Sequence, residues 1–171
     1  VVFDPAAPTQ VLGQNRLTPV FGSDVLTGLT NDPQQNDKVD FGFDVRLLTN
    51  GQVDPASDFS FNYETGKHCG GNGNQTPQNC HVTTFTASGF SWLTVNGTNN
   101  SKGTFQGFGA LVIDGTTTSN PFRVIGVDAQ LLGTGSDDVD ILIYSPGADP
   151  NSAQPVYRVH RSPTGQGVTI Q

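Results

Sequence analysis

Hydrophobic and polar side chains alternate from Asp40 onward: Phe41, Phe43, Val45 and Leu47 fall on one side of an extended chain, and Asp40, Asp44 and Arg46 on the other. A period of two marks a strand with one buried face. Asn50-Gly51 is a turn signal, and beyond it Phe59, Phe61 and Tyr63 alternate with Asp58, Ser60 and Asn62. The pattern predicts an antiparallel pair joined by more than a tight hairpin. HVTTFTAS and FSWLTVNG follow, the second ending on Asn96-Gly97. In FSWLTV, strict alternation puts Phe90 and Trp92 on one face and Leu93 and Val95 on the other. GTFQGFGALVI carries glycines inside a strand pattern, which predicts a bulge near Gly107 or Gly109. PFRVIGVDA and VDILIYS are apolar on both faces, and PVYRVHR and GVTIQ end the chain. With about eight to ten strands between Gly, Asn, Asp and Pro turns, the predicted fold is all-β. Its expected form is an antiparallel, jelly-roll-like β-sandwich in a single globular domain.

Residues 1–36 are different. They hold four prolines and short apolar fragments with little alternation. The segment reads as an N-terminal extended arm or edge strand, with the sandwich proper over 37–171. As an arm, it could pair with another subunit's sheet, its prolines delimiting the paired stretches because proline cannot donate to a ladder.

Composition supports the β reading and narrows the function. The chain has 171 residues with 21 Gly, 11 Pro and no Met, and Glu64 is the sole Glu among 15 acidic residues. Good helix formers are scarce, and Thr, Val, Phe and Asn are common. Eight Lys and Arg against a net charge of −7 leave no basic footprint for nucleic acid or an anionic membrane. No apolar run reaches the roughly 18 residues of a spanning helix. The chain opens at Val1 without Met, which fits a mature secreted protein after leader removal.

Cys69 and Cys80 flank a Gly/Asn/Gln loop and are expected to form a disulfide in an oxidising compartment. His68 and His81 adjoin them, but adjacent ligands on an extended chain point apart and the spacing matches no common zinc motif. Asp137, Asp138 and Asp140, joined by Asp128 or Asp114, could supply oxygen ligands to Ca²⁺, the one cofactor the residues suggest. The alternative is a polar turn with its acids in solvent. There is no Gly-x-Ser-x-Gly elbow, and His160 is a lone imidazole on the outer face of PVYRVHR. No catalytic residue is assigned, and the chain is expected not to be an enzyme. Trp92, the only Trp, is the candidate for stacking on a sugar ring, against the alternative of a core residue. Asn74, Asn96 and Asn99 begin glycosylation sequons.

The stretch WLTVNG, GTFQGFG, PFRVIGVDA, DDVDILIY, PVYRV and GVTIQ, over about residues 85–171, resembles a β-domain that recurs in secreted bacterial surface proteins. The resemblance implies an antiparallel β fold in an extracellular setting and carries no catalytic residues. Two functions follow as expectations. The first is a non-enzymatic extracellular structural protein, a homo-oligomeric or polymeric subunit of a filament, appendage or surface assembly, built by N-terminal strand donation. The second is a secreted, lectin-like carbohydrate-binding module braced by calcium. Neither involves nucleic acid or membrane insertion.

Overall fold

A computed structural model describes residues 10–17, 38–65, 81–133, 135–161 and 167–171. Most of them are strand and almost none are helix. In chain order these are β1 Gln10–Leu17, β2 Lys38–Arg46, β3 Asp58–Thr65, β4 His81–Asn96, β5 Lys102–Ile113, β6 Thr116–Val127, β7 Asp138–Ile143, β8 Tyr157–Arg161 and β9 Val168–Ile170. One helical turn, α1 Ala129–Leu132, links β6 to β7. The strands form a single antiparallel sheet in the order β8-β7-β6-β5-β4-β3-β2-β1-β9. Every neighbour but one is consecutive in the chain, so the jelly-roll crossovers expected from the sequence are not the route by which the two layers arise. The exception is β9, which returns to pair with β1.

The two layers arise because the sheet curls over one of its own faces. In the β2–β3 pair, Phe41 lies opposite Phe61 and Phe43 opposite Phe59, as the alternation predicts. These rings meet strands several places away in the sheet: Phe43 contacts Phe105 of β5, Phe59 contacts Phe122 of β6, and Phe61 stacks on Tyr157 of β8. Val45, Phe85, Phe105, Phe122, Val124 and Ile141 are fully buried in the same core. Each such side chain contributes about 1.5–3 kcal/mol by leaving water.

Sharp curvature needs a device, and β4 supplies it. Its register against β5 slips between Ala87 and Gly89 and again between Phe90 and Trp92, leaving Ser88 and Ser91 as bulged residues. Bulges bend a strand and tighten its twist. The bulges expected near Gly107 or Gly109 are therefore on the partner strand. Those glycines face it closely: a Cβ on Gly107 would lie 2.9 Å from the Phe90 Cα, and one on Gly109 within 2.5 Å of the Thr86 carbonyl oxygen.

Residues 10–17 are not an edge strand or a free arm. β1 is hydrogen-bonded to β2 along its whole length and to β9 on its other side. Val11 is fully buried, its methyls over Gly103. Residues 1–9 and 18–37 lie outside the described residues, as do Cys69, Asn74 and Cys80.

Candidate functional site

The acidic residues singled out in the sequence do not converge on one point. Alternation along β7 sends Val139 and Ile141 into the core and Asp138 and Asp140 to the outer face. Asp138 Oδ2 lies 2.8 Å from His160 Nε2, and Asp140 accepts two hydrogen bonds from Arg158, each 2.8 Å. His160 is thus on the outer face as expected, but it is not a lone imidazole. Asp114 sits with Gly115 in the β5–β6 turn, both at positive φ, at the opposite end of that hairpin from Asp128.

Asp128 and Asp137 do come together, and what they hold is the edge of the sheet. Asp137 is buried; its Oδ1 accepts from Ala129 N at 2.9 Å and its Oδ2 from Gly167 N and Val168 N at 2.7 and 2.8 Å. Asp128, also buried, caps α1 through Oδ1, which accepts from Gln130 N and Leu131 N. Its Oδ2 accepts from Ile170 N at 3.1 Å. Because β9 alternates, Thr169 faces β1 while the amides of Val168 and Ile170 point outward, where a tenth strand would otherwise bind. The two carboxylates occupy that line of donors and bridge β9 to the ends of β6 and β7. The described residues contain no group of three or more His, Cys, Asp or Glu placed to share a metal ion. The sequence does carry a sign of this arrangement: Asp128 before a short apolar run that ends at Gly133 is an N-cap followed by a left-handed C-cap, φ 74°.

A second polar cluster lies on the outer face. The Ser91 bulge breaks the alternation in FSWLTV, so Phe90 turns to the core beside Phe105 and Phe122, and Leu93 follows it. Phe90 and Trp92 therefore do not share a face. Trp92 is half-buried on the outer surface, beneath the Arg123 guanidinium, whose carbon is 5.8 Å from the ring centre. Trp92, Gln106, Arg123, Leu142 and Arg158 stand in one cross-strand row from β4 to β8. Arg123 donates from Nε and Nη2 to Gln106 Oε1, at 3.3 and 2.7 Å, and from Nη2 to Asn151 Oδ1 at 2.7 Å. Asn151 is itself fixed by two 2.9 Å bonds to Asp149 Oδ1. No sequence pattern announces this network, because Asn151 lies in a loop 28 residues from Arg123.

Elsewhere, the Arg46 guanidinium hydrogen-bonds the Asp44 carboxylate and holds it below its ordinary pKa. Burial pushes the Tyr144 hydroxyl up. Asn96 and Asn99 are exposed around the β4–β5 turn, and Asn99 Nδ2 donates to the Leu131 carbonyl at 3.0 Å. No helix among the described residues is long and apolar enough to cross a membrane. No family model matches the chain, and no curated protein or solved structure shows significant similarity to it.

Proposed function

We propose that the chain is a non-enzymatic structural protein of an extracellular assembly, a subunit that joins its neighbours by exchanging β1. The observation that carries this reading is the position of β1. It lies between β2 and β9, both of its edges are paired, and β9 reaches the sheet through it. It is separated from β2, its partner in the ladder, by twenty residues, from 18 to 37. Such a separation lets the same slot be filled by the β1 of the same chain or of a neighbour. Exchange of an identical element is a low-cost route to assembly, because no contact has to be invented.

The polar groups are consistent with that role. Buried carboxylates close an edge that would otherwise template uncontrolled pairing, and Arg158, Asp140, His160 and Asp138 pair with one another on the outer face. Carboxylates committed in this way serve the fold.

Val11 and Gly103 provide the test. A Cβ on Gly103 would lie 3.2 Å from the Val11 Cβ, close to disulfide separation. In the Val11→Cys/Gly103→Cys variant, oxidation at rising protein concentration is expected to yield covalent dimers and ladders on a non-reducing gel, beyond those of the parent chain. Cross-linking confined to the monomer, with a monomeric sedimentation profile at every concentration, would overturn the assembly.

A further inference from the structure

We propose that the outer face of β4–β6 around Trp92 and Arg123 binds an extended glycan chain bearing carboxylate groups. This is independent of the assembly reading, since a monomer would bind equally well. Three features of the face lead to it.

The first is the state of Arg123. Arg46 and Arg158 both have carboxylate partners, Asp44 and Asp140. Arg123 is held by two amide oxygens, those of Gln106 and Asn151. Among the described residues its charge is not neutralised, and its Nη1 has no partner. Its plane is nonetheless fixed, through a chain that runs from Asp149 to Asn151 to the guanidinium. A rigid guanidinium without a counter-charge is organised for a carboxylate, which it can engage through parallel N–H···O bonds.

The second is its neighbour. Trp92, the only Trp, sits half-buried beneath that guanidinium, away from the core rings. On the same face of β5, two residues beyond Gln106, Phe108 is 52% exposed. Aromatic surface beside a fixed hydrogen-bonding group suits a ring with an apolar face and polar edges, as a pyranose has.

The third is shape. The row from Trp92 to Arg158 runs across a sheet face, and small ligands are bound in concavities that bury most of their surface. The outer side of a curled sheet offers no such concavity and gains enough contact only from an extended, repeating ligand. Nucleic acid is such a ligand, but one un-neutralised guanidinium in a chain of charge −7 cannot support its phosphate density. A peptide strand would bind by pairing at an edge: β5, at the centre of this face, is paired on both sides along its whole length, and β4 beyond Thr86, which pairs with β5 alone among the described strands, would take a strand beside the face and not across it. A uronic-acid polymer offers sparse carboxylates between stacking rings and meets both constraints.

The test uses the single tryptophan as reporter. The intact chain is titrated with oligogalacturonate, oligomannuronate, a neutral cello-oligosaccharide and an oligothymidylate while Trp92 emission is followed. Saturable change with a uronate oligomer is expected, with little from the other two. Arg123→Gln should weaken uronate binding by about tenfold or more, with the far-ultraviolet dichroism unchanged. Asn151→Ala, on an exposed loop, should weaken it by a smaller factor and so reports on the site even if Arg123→Gln impairs folding. Binding to neither uronate, equal or tighter binding to the neutral oligomer or to oligothymidylate, or uronate binding indifferent to both variants would overturn the proposal.

Discussion

Asp137 shows how one residue can be acidic in sequence and structural in three dimensions. Its two oxygens receive three backbone amides, from the start of α1 and from the approach to β9, within a site that excludes water. Charge-assisted bonds of this kind are shorter and stronger than neutral ones, and removing the acceptor strands the donors in a dry place. Asp137→Ala is therefore expected to cost about 4 kcal/mol, and Asp128→Ala about 2 kcal/mol, since part of its role is an ordinary helix cap. The shift in urea midpoint at constant slope measures both. Because N–H groups rather than a cation satisfy these oxygens, excess chelator should leave the melting temperature of the parent protein unchanged. A loss below about 1 kcal/mol for Asp137→Ala, or a chelator-dependent melting curve, would show that the carboxylates have another partner.

At the scale of elements, β1 and β5 come into close contact although they are not neighbours in the sheet. Gly103 has no room for a side chain: a Cβ there would lie 2.5 and 2.8 Å from the Val11 methyls. Gly103→Ala should thus destabilise by about 1–3 kcal/mol through overpacking, and Val11→Ala by about 2–3 kcal/mol through a cavity. Each change relieves the other, so the double variant should be more stable than the sum of the single losses by about 1 kcal/mol or more. Strict additivity would mean that the two strands do not touch. Strands such as β2 and β3 were legible in the sequence because alternation is local and survives any choice of neighbour. β1 was not, because residues 1–36 lack alternation and the partner of Val11 is a glycine about ninety residues away. Trp92 was misplaced for a different reason. A bulge at Ser91 adds one residue to the count, and a period of two carried across it puts every later side chain on the wrong face. The carboxylate clasp was half legible: the Asp…Gly frame of α1 is written in the sequence, but the amides it meets belong to the last strand.

For the whole molecule, the order of strands decides what can be removed. From sequence, cutting away residues 1–22 should leave a folded, soluble domain that has lost only its means of assembly. The sheet implies the opposite. Without β1, β9 loses its only ladder among the described strands and keeps the Asp128 and Asp137 bonds alone. β2 would then present a long edge, with Phe41, Phe43 and Val45 of its inner face no longer sealed by Val11. The cost is shared by the whole core, since the rings of β2 touch those of β5 and the contacts run on to β6 and β8. Unfolding in a sheet this interlocked is expected to be cooperative. Chains lacking residues 1–22 should therefore be aggregation-prone, bind a hydrophobic dye and lose the sharp thermal transition of the parent. A synthetic peptide covering residues 1–22 should restore that transition, because the vacant slot between β2 and β9 offers two unsatisfied ladders to one strand. A truncated chain that stays monomeric, dye-negative and as thermostable as the parent would show that β1 is dispensable, and with it the idea that assembly proceeds through its exchange.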